Sequence, residues 1–312
     1  MATLFGHMPE KVITGETVFD VLEKANEFVR KHGKVHIIDQ AGRKERTWDC
    51  GNMLLVVENP FSDRYGFSWS RKEDEWYQDV FVRKSGFEGR YVVEYKGKRA
   101  VLPYLYKQQF RFSDCGLGEE ADVLEALMET NNEDVILREF LIHPQVLRGV
   151  LESYREKGVN LEKMKKEEVL TALRNESKIK ETDQIETVIR RFLKDRNTRR
   201  AFITSHVQPH LLRHREAVYP YSWHNFYIRE IDGERVMVST TGMRSNDMAR
   251  GTQLDLNHNI DWAVEVKTAL EKNGIEVDRI LVALFTNSAH IYEPREENIF
   301  EWLVRVTHGK ML

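Results

Sequence analysis

The sequence predicts an α+β fold, with a mixed β-sheet core, flanking helices and a helical insertion, in one domain that spans all 312 residues. Two observations indicate this class. Segments that alternate aromatic, β-branched and charged residues occur on both sides of the middle of the chain, as is typical of strands. Between them, around residues 118–180, Leu, Glu and Lys recur at helical spacing, which predicts a solvated helical lobe.

The first half of the chain predicts one helix followed by strands. Residues 16–31 repeat apolar side chains every three or four positions, which predicts an amphipathic helix. The apolar run MLLVVE at 53–58 predicts a buried strand. Within residues 64–112, DVFVRK, RYVVEYKGKRAVL and YKQQFRF predict several further strands, joined by turns that contain Gly.

The second half predicts the rest of the sheet and a long helix. RRAFITS, NFYIREI, ERVMVST and RILVALF have the composition of strands. Residues 255–271 are expected to form a helix, and the polar stretch GMRSNDMARG at 242–251 is expected to turn the chain before it. The Arg, Ser, Asn and Asp side chains of this stretch either bind a ligand or solvate a loop.

The composition excludes several classes of protein. With 41% hydrophobic residues the chain can bury a sizeable core, which excludes a disordered or fibrous protein. The net charge of -3 gives no overall attraction to nucleic acid or to an anionic membrane. The two cysteines, Cys50 and Cys115, predict neither a disulfide framework nor a zinc site. We therefore expect a cytoplasmic protein without a metal and without membrane or nucleic-acid partners.

Arginine carries the first chemical signal. A planar guanidinium binds two phosphate oxygens at once, and several converging guanidiniums hold a dianion better than one does. Short Arg motifs stand beside predicted strands at Arg46 in KERTW, at Arg199 and Arg200 in DRNTRRAFI, and at Arg244 with Ser245 in MRSND. Each motif alone is weak, because an isolated Arg is usually a surface side chain.

Together with their neighbours, these stretches resemble the thymidylate synthase superfamily, which alkylates carbon 5 of a pyrimidine monophosphate. KERTW is similar to the family's Asp-Arg-Thr phosphate loop, and YKQQFR to its Tyr-Gly-x-Gln-Trp-Arg segment. DQIETVIRRFLKDRNTRRAFIT resembles its Asp-Gln helix and the Arg-Arg pair that opens a strand. NFYI, RSNDMARG and AHIY resemble Gln-Phe-Tyr-Val, Arg-Ser-x-Asp-x-x-x-Gly and Ala-His-x-Tyr. The matches occur in family order over much of residues 15–60, 100–112 and 180–300.

The resemblance implies how the phosphate is bound. Arg244 and Ser245 would bind it together with Arg46, while Arg199 and Arg200 would come from the other subunit of a homodimer. The active site is therefore expected to be shared between two chains.

The resemblance also implies roles near the base and the sugar. Asp247 would face the pterin ring of a folate, which makes 5,10-methylenetetrahydrofolate the implied cofactor. His290 and Tyr292 would hydrogen-bond the sugar hydroxyl. Tyr106 resembles the family tyrosine that helps to remove the carbon 5 proton.

One departure concerns the nucleophile. The family carries a Cys shortly before Gln-Phe-Tyr-Val, and its thiolate attacks carbon 6 of the base. Here AVYPYSWHNFYI places Tyr219, Pro220 or Tyr221 at that position, depending on the counting, and none is a Cys. A neutral tyrosine hydroxyl is a poor substitute for a thiolate. His224 is the nearest alternative nucleophile or base, although a packed, hydrogen-bonded histidine is an equally good interpretation.

A second departure concerns recognition of the base. Eleven residues after its motif arginine the family has an Asn that binds uracil, and ungapped counting gives Asp255 here. A carboxylate accepts from the exocyclic amine of cytosine, and family members that act on cytidylate are similar in carrying Asp. It would also suit the N–H groups of guanine. A four-residue insertion would instead align Asn259 and restore a uracil-binding residue.

Three functional hypotheses follow. The first is a homodimeric enzyme that binds a pyrimidine nucleoside monophosphate, with CMP or dCMP favoured through Asp255, and transfers a one-carbon unit to the base. The second keeps the nucleotide site but uses other chemistry, such as hydrolysis or another group transfer, with Asp255 or His224 as acid or base. The third is a nucleotide-binding protein without catalytic activity.

Overall fold

The structure, a computed structural model, describes residues 11–40, 43–83, 92–102, 112–113, 182–204, 220–307 and 309–312. The chain forms two compact units, of which the first comprises Met1–Arg111, Gln184–Ser205 and Tyr219–Leu312. The second comprises Phe112–Asp183 and His206–Val218. The helical lobe predicted around residues 118–180 and the strand predicted for YKQQFRF lie outside the described residues, except for Phe112.

The described strands are β1 (Val12–Gly15), β2 (Lys34–Gln40), β3 (Arg43–Asp49), β4 (Met53–Val57), β5 (Val92–Tyr95), β6 (Lys98–Val101), β7 (Phe112–Ser113), β8 (Thr182–Asp183), β9 (Phe202–Thr204), β10 (Tyr221–Ile231), β11 (Glu234–Met243), β12 (Asn246–Asp247), β13 (Arg279–Thr286), β14 (Ala289–Tyr292) and β15 (Lys310–Met311). The helices are α1 (Val18–His32), α2 (Arg71–Tyr77), which continues into a π-helical segment (Gln78–Arg83), α3 (Gln184–Lys194), α4 (Gly251–Lys272) and α5 (Ile299–Val306).

Two mixed sheets organise the first unit. A six-stranded sheet has the order β1-β4-β13-β11-β10-β9, with β1 parallel to β4 and β11 parallel to β13. A four-stranded sheet has the order β12-β14-β3-β2, with β12 parallel to β14. A small antiparallel sheet of β15, β6 and β5 completes the unit. In the second unit, β7 pairs antiparallel with β8. Helices and mixed sheets together confirm the predicted α+β class.

The core lies between one face of the six-stranded sheet and helices α1 and α4, which contact its strands. Side chains alternate between the two faces of a strand, so every second residue points to the helices. Leu55, Val282 and Phe226 are fully buried on the helix side. Their neighbours Leu54 and Leu281 point to the opposite face and are half-buried.

Most predicted elements occur close to their expected positions. The predicted first helix is α1, whose N-cap Thr17 accepts a hydrogen bond from the backbone N–H of Asp20 at 3.1 Å. The run MLLVVE forms β4, and KERTW lies within β3. The helix expected at 255–271 begins earlier, at Gly251, and part of the expected turn forms β12.

The strand predicted for DVFVRK is wrong for residues 79–83, because these residues belong to the π-helical segment after α2. Helix α2 begins with a capping box in which Ser70 accepts from the backbone N–H of Glu73, and Glu73 accepts from that of Ser70. This start directs the following residues into helical geometry in spite of their β-branched side chains. Among the described residues, no helix is long and apolar enough to cross a membrane.

Candidate functional site

Two motifs that are far apart in the sequence meet in the four-stranded sheet. Strand β12 pairs with β14 so that Asp247 lies opposite His290. Strand β14 in turn pairs with β3, so that His290 lies opposite Asp49 and Tyr292 opposite Thr47. Because directly opposite residues point to the same face of a sheet, Asp247, His290 and Tyr292 share one face.

Asp247 is a buried carboxyl with defined hydrogen bonds. Its side chain is 7% exposed, and Oδ1 accepts from the backbone N–H of Ala249 at 3.1 Å. Oδ2 accepts from the indole Nε1–H of Trp302 at 3.4 Å. Burial raises the pKa of Asp247, although charge on His290 and Arg305 and these hydrogen bonds oppose the rise. The carboxyl is therefore fixed in direction and keeps free lone pairs for a ligand.

The rings of His290 and Tyr292 pack edge to face, with centroids 4.8 Å apart. His290 Nδ1 lies 3.2 Å from the backbone oxygen of Ser288 and so acts as the donor. In the neutral ring, Nε2 is then left as an acceptor. The guanidinium of Arg305 lies 5.1 Å from the centre of the Tyr292 ring.

The first half of α4 is polar and yet buried. Its buried polar residues are Thr252, Gln253, Asp255, Asn257, His258 and Asn259. Burying polar side chains costs free energy unless partners satisfy them, so an ordinary core would carry apolar residues here. Gln253, Asn257 and Asn259 have such partners in the protein, so the half-helix is a hydrogen-bonded polar part of the core beside Asp247.

Asp255 is the most perturbed carboxyl of this half-helix, at 6% exposed. Its pKa is raised to about 8, mainly by burial and also by the nearby carboxylates of Asp247 and Asp74, while a hydrogen bond from Asn246 opposes the rise. Near neutral pH this carboxyl holds a proton, so it can donate as well as accept a hydrogen bond. The expected role of Asp255 as an acceptor for the cytosine amine therefore belongs to its ionised form.

Asn259, the alternative base-binding residue, has its side chain occupied by the protein. Its amide donates to the backbone oxygen of Ala283 at 3.1 Å and to that of Ser239 at 3.4 Å. Its Oδ1 accepts from the Ser239 hydroxyl at 2.5 Å. Asn259 thus ties α4 to β11 and β13, and a ligand would have to displace these bonds.

Tyr221 and His224 are fully buried in one hydrogen-bonded chain. Because the Ser239 hydroxyl donates to Asn259, it accepts from His224 Nε2 at 2.8 Å. His224 Nδ1 then accepts from the Tyr221 hydroxyl at 2.7 Å. Burial lowers the pKa of His224 well below its usual value and raises that of Tyr221 well above. Both side chains are neutral and satisfied within the core, which is contrary to a role as nucleophile or base.

The expected phosphate-binding arginines stand on three separate segments of the chain. Arg46 is exposed and lies over the Trp48 ring, on the side of β3 opposite to Thr47. The exposed Arg199 and Arg200 precede β9. Since alternation turns Arg46 away from the face of Tyr292, it would have to move to reach a nucleotide there.

Arg244 and Ser245 follow β11 directly and precede β12. Arg244 is exposed and Ser245 is half-buried, so both are near the surface beside Asp247. Tyr106, the expected proton-removing residue, lies outside the described residues.

Three residues of the site were not identified from the sequence. Asp74 is 2% exposed, accepts from Asn257 at 2.7 Å, and burial raises its pKa to about 6. Asn246 is buried and its amide bonds Asp255. Trp302 bonds Asp247. The sequence could have indicated only Asn246, which is a polar residue of the RSND segment. Asp74 stands among charged residues typical of a helix surface, and Trp302 stands in an apolar segment.

No protein-family model matches the chain, and no curated protein matches it. Among solved structures, the chain is similar to thermostable thymidylate synthase A from Bacillus subtilis. The alignment has 12% sequence identity, covers 88% of this chain and 80% of that chain, and has a TM-score of 0.39.

Proposed function

We propose that the protein is a thymidylate-synthase-like enzyme that binds a pyrimidine nucleoside monophosphate, with CMP or dCMP favoured, and transfers a one-carbon unit to its base. The observation that carries the proposal is the meeting of three motif segments at one place. Pairing of β12 with β14 sets Asp247 beside His290, and the Asn246 amide of the same segment bonds Asp255 on α4. The residues that resemble the folate, sugar and base contacts are thus neighbours.

The buried carboxyl of Asp255 supports the preference for cytosine. A hydrogen bond from Asn246 favours the ionised form of Asp255, and an oxygen of this carboxyl is proposed to bind the base. As a carboxylate, that oxygen accepts from the exocyclic amine of cytosine and repels the carbonyl of uracil. When protonated, it can also donate to a carbonyl. With a pKa of about 8 the carboxyl samples both forms, so the preference for cytidylate depends on pH.

The phosphate is proposed to bind between two chains. Arg244 and Ser245 lie next to Asp247, whereas the exposed Arg199 and Arg200 are free to reach a partner's site. Several converging guanidiniums suit a dianion.

The outer face of the six-stranded sheet supports the homodimer. Its half-buried side chains include Leu54, Leu281, Phe285 and Tyr227. Apolar side chains on one continuous sheet face are suited to packing against the same face of a second copy.

The residues present fit a folate. Each carboxylate oxygen of Asp247 has one protein donor and can accept another from a pterin N–H. 5,10-Methylenetetrahydrofolate, when bound, supplies the one-carbon unit. In this proposal Asp247 orients the pterin, His290 and Tyr292 hold the sugar, and Asp255 binds the base and moves a proton at its free oxygen.

A second candidate function keeps the nucleotide but not the one-carbon transfer. It is favoured by the burial of Tyr221 and His224, because neither can replace the thiolate that makes carbon 5 nucleophilic. A carboxyl with a pKa of about 8 is suited to general acid–base catalysis, so Asp255 would serve hydrolysis or another group transfer at the same site.

Calorimetric binding to CMP, dCMP, UMP, dUMP, GMP and dGMP tests the proposal. Above about pH 8, where Asp255 is ionised, we expect the pyrimidine nucleotides to bind, with cytidylates preferred. In Asp255→Asn the new amide would turn its oxygen toward Asn246 and its N–H₂ toward the base, which moves the preference toward uridylates. Asp74→Asn is the matched control, since Asp74 is also buried but bonds Asn257 and Gln78. Binding of purine nucleotides only, or of none, would contradict the proposal.

Addition of 5,10-methylenetetrahydrofolate to the bound nucleotide then separates the two candidate functions. Transfer of a one-carbon unit to the base supports the first. Turnover of the nucleotide without folate supports the second.

A further inference from the structure

Helix α5 lies against the buried carboxyl of Asp247. The Trp302 indole donates to Asp247 Oδ2 at 3.4 Å, and the two side chains are 5% and 7% exposed. The indole packs against Trp69, with ring centroids 5.6 Å apart. Trp69 itself donates to the backbone oxygen of Arg250 at 3.0 Å. Trp302 is therefore fixed both by packing of its ring against Trp69 and by the hydrogen bond from its indole nitrogen.

A buried ion-pair network fixes α5 on the four-stranded sheet. Arg305, one turn after Trp302, donates to Glu45 of β3 at 2.9 Å and to Glu297 at 3.0 Å. These three side chains are 3% to 9% exposed, so solvent screens their charges little. Asn298 caps the first turn of α5 and accepts from the backbone N–H of Glu301 at 3.0 Å. The helix that carries Trp302 is thus anchored at both ends.

We propose that Trp302 is a positioning residue, which fixes the direction of the Asp247 carboxylate toward the ligand. The inference depends on the proposed function in one respect, which is that the ligand of Asp247 is a folate. Ala249 fixes Oδ1 from the backbone, and Trp302 is the side chain that fixes Oδ2. With both oxygens held, rotation of the carboxylate costs two hydrogen bonds, and its remaining lone pairs point in a constant direction.

Other charged groups also face Asp247 and remain when the indole N–H is removed. They are His290 on β14, Arg305 on α5 and Asp255 on α4. The effect of the indole alone is therefore measured by replacing Trp302 with a ring that packs similarly and lacks the donor.

Trp302→Phe is that variant, and Trp76→Phe is its matched control. Trp76 also packs against α5, with its ring 6.2 Å from that of Phe300, but its indole donates to the backbone oxygen of Glu94. The pKa of Asp247 is measured by ¹³C NMR of the labelled carboxyl in both variants. We expect it to rise in Trp302→Phe, because a hydrogen bond to the charged form is lost, and to stay unchanged in Trp76→Phe.

The same variants are titrated with tetrahydrofolate in the presence of CMP. We expect about tenfold weaker binding in Trp302→Phe, because the carboxylate is no longer held in the direction of the ligand, and no change in Trp76→Phe. An Asp247 pKa that is the same in Trp302→Phe as in wild type would overturn the inference. If the wild type binds no tetrahydrofolate, the proposed function fails, while the NMR titration still decides the role of Trp302.

The wild-type protein provides a check that does not depend on whether a variant folds. With ¹⁵N-labelled tryptophan, the chain gives six indole N–H signals. In a pH titration, the chemical shift of one of these signals should change with the same midpoint pH as that of the Asp247 carboxyl. If none does, the hydrogen bond is absent and the inference is wrong.

Discussion

Replacement of the buried carboxyl at position 255 should stabilise the protein at alkaline pH. Burial raises the pKa of Asp255 from 3.8 to about 8, so the folded protein keeps a proton that the unfolded chain releases. The free energy of unfolding therefore falls as the pH rises between these two values, because the unfolded state is the one that loses the proton. Asp255→Asn is neutral at every pH and escapes this loss.

The size of the effect follows from proton linkage. One proton of difference between the two states changes the free energy of unfolding by about 1.4 kcal/mol per pH unit. Across the full interval the wild type would lose up to about 6 kcal/mol relative to Asp255→Asn, and above about pH 8 the difference should become constant.

Urea unfolding followed by tryptophan fluorescence, at intervals from about pH 5 to about pH 9, measures this difference. Asp278→Asn is the control, because the pKa of the exposed Asp278 is lowered by hydrogen bonds from Arg235, whereas the pKa of Asp255 is raised. That stabilisation is present above the unfolded pKa and is lost only in acid, so the control should differ from wild type by a constant amount over this range. An Asp255→Asn difference that is also constant would refute the reasoning.

Three further predictions follow from the same region. The preference for CMP over UMP should increase as the pH rises through about 8, since the ionised Asp255 repels the uracil carbonyl, and competition binding at several pH values measures it. Asn259→Ala should lower the free energy of unfolding by roughly 3 to 5 kcal/mol, because it removes bonds between α4 and two strands, and urea unfolding at neutral pH tests this. Gly242→Ala would place a Cβ inside van der Waals contact with the Trp223 ring and should cost about 1 to 3 kcal/mol in the same assay, with a changed tryptophan emission.

The positions of several strands and of α1 could be predicted from the sequence because they depend on local composition and periodicity. The apolar run of β4 predicts a strand, and burial along it alternates residue by residue. The π-helical segment at Gln78–Arg83 could not be predicted from β-branched content, since it continues helix α2, which begins at the Ser70–Glu73 capping box.

The roles of Tyr221 and His224 could not be predicted from local pattern. A spacing of three residues should place them on opposite faces of a strand. The register of β10 shifts between Tyr221 and Trp223, which turns both side chains into the core. A β-bulge of this kind depends on the partner strand, and the sequence of β10 alone does not indicate it.

The sequence locates Asp255 but not its protonation state. Ungapped counting from Arg244 aligns Asp255 with the family's base-binding residue. The pKa of Asp255, however, depends on burial and on carboxylates from distant segments. Asp74, one of these, stands next to the exposed Glu75 in the same helix, and only the fold distinguishes the two.

The most direct test of the account is a crystal structure of the protein with CMP. We predict that the exocyclic amine of cytosine lies within about 3 Å of an Asp255 carboxylate oxygen. The phosphate should contact Arg244 of the same chain together with Arg199 and Arg200 of the partner subunit. A nucleotide bound away from Asp255, or a phosphate held without the second chain, would contradict the proposed site.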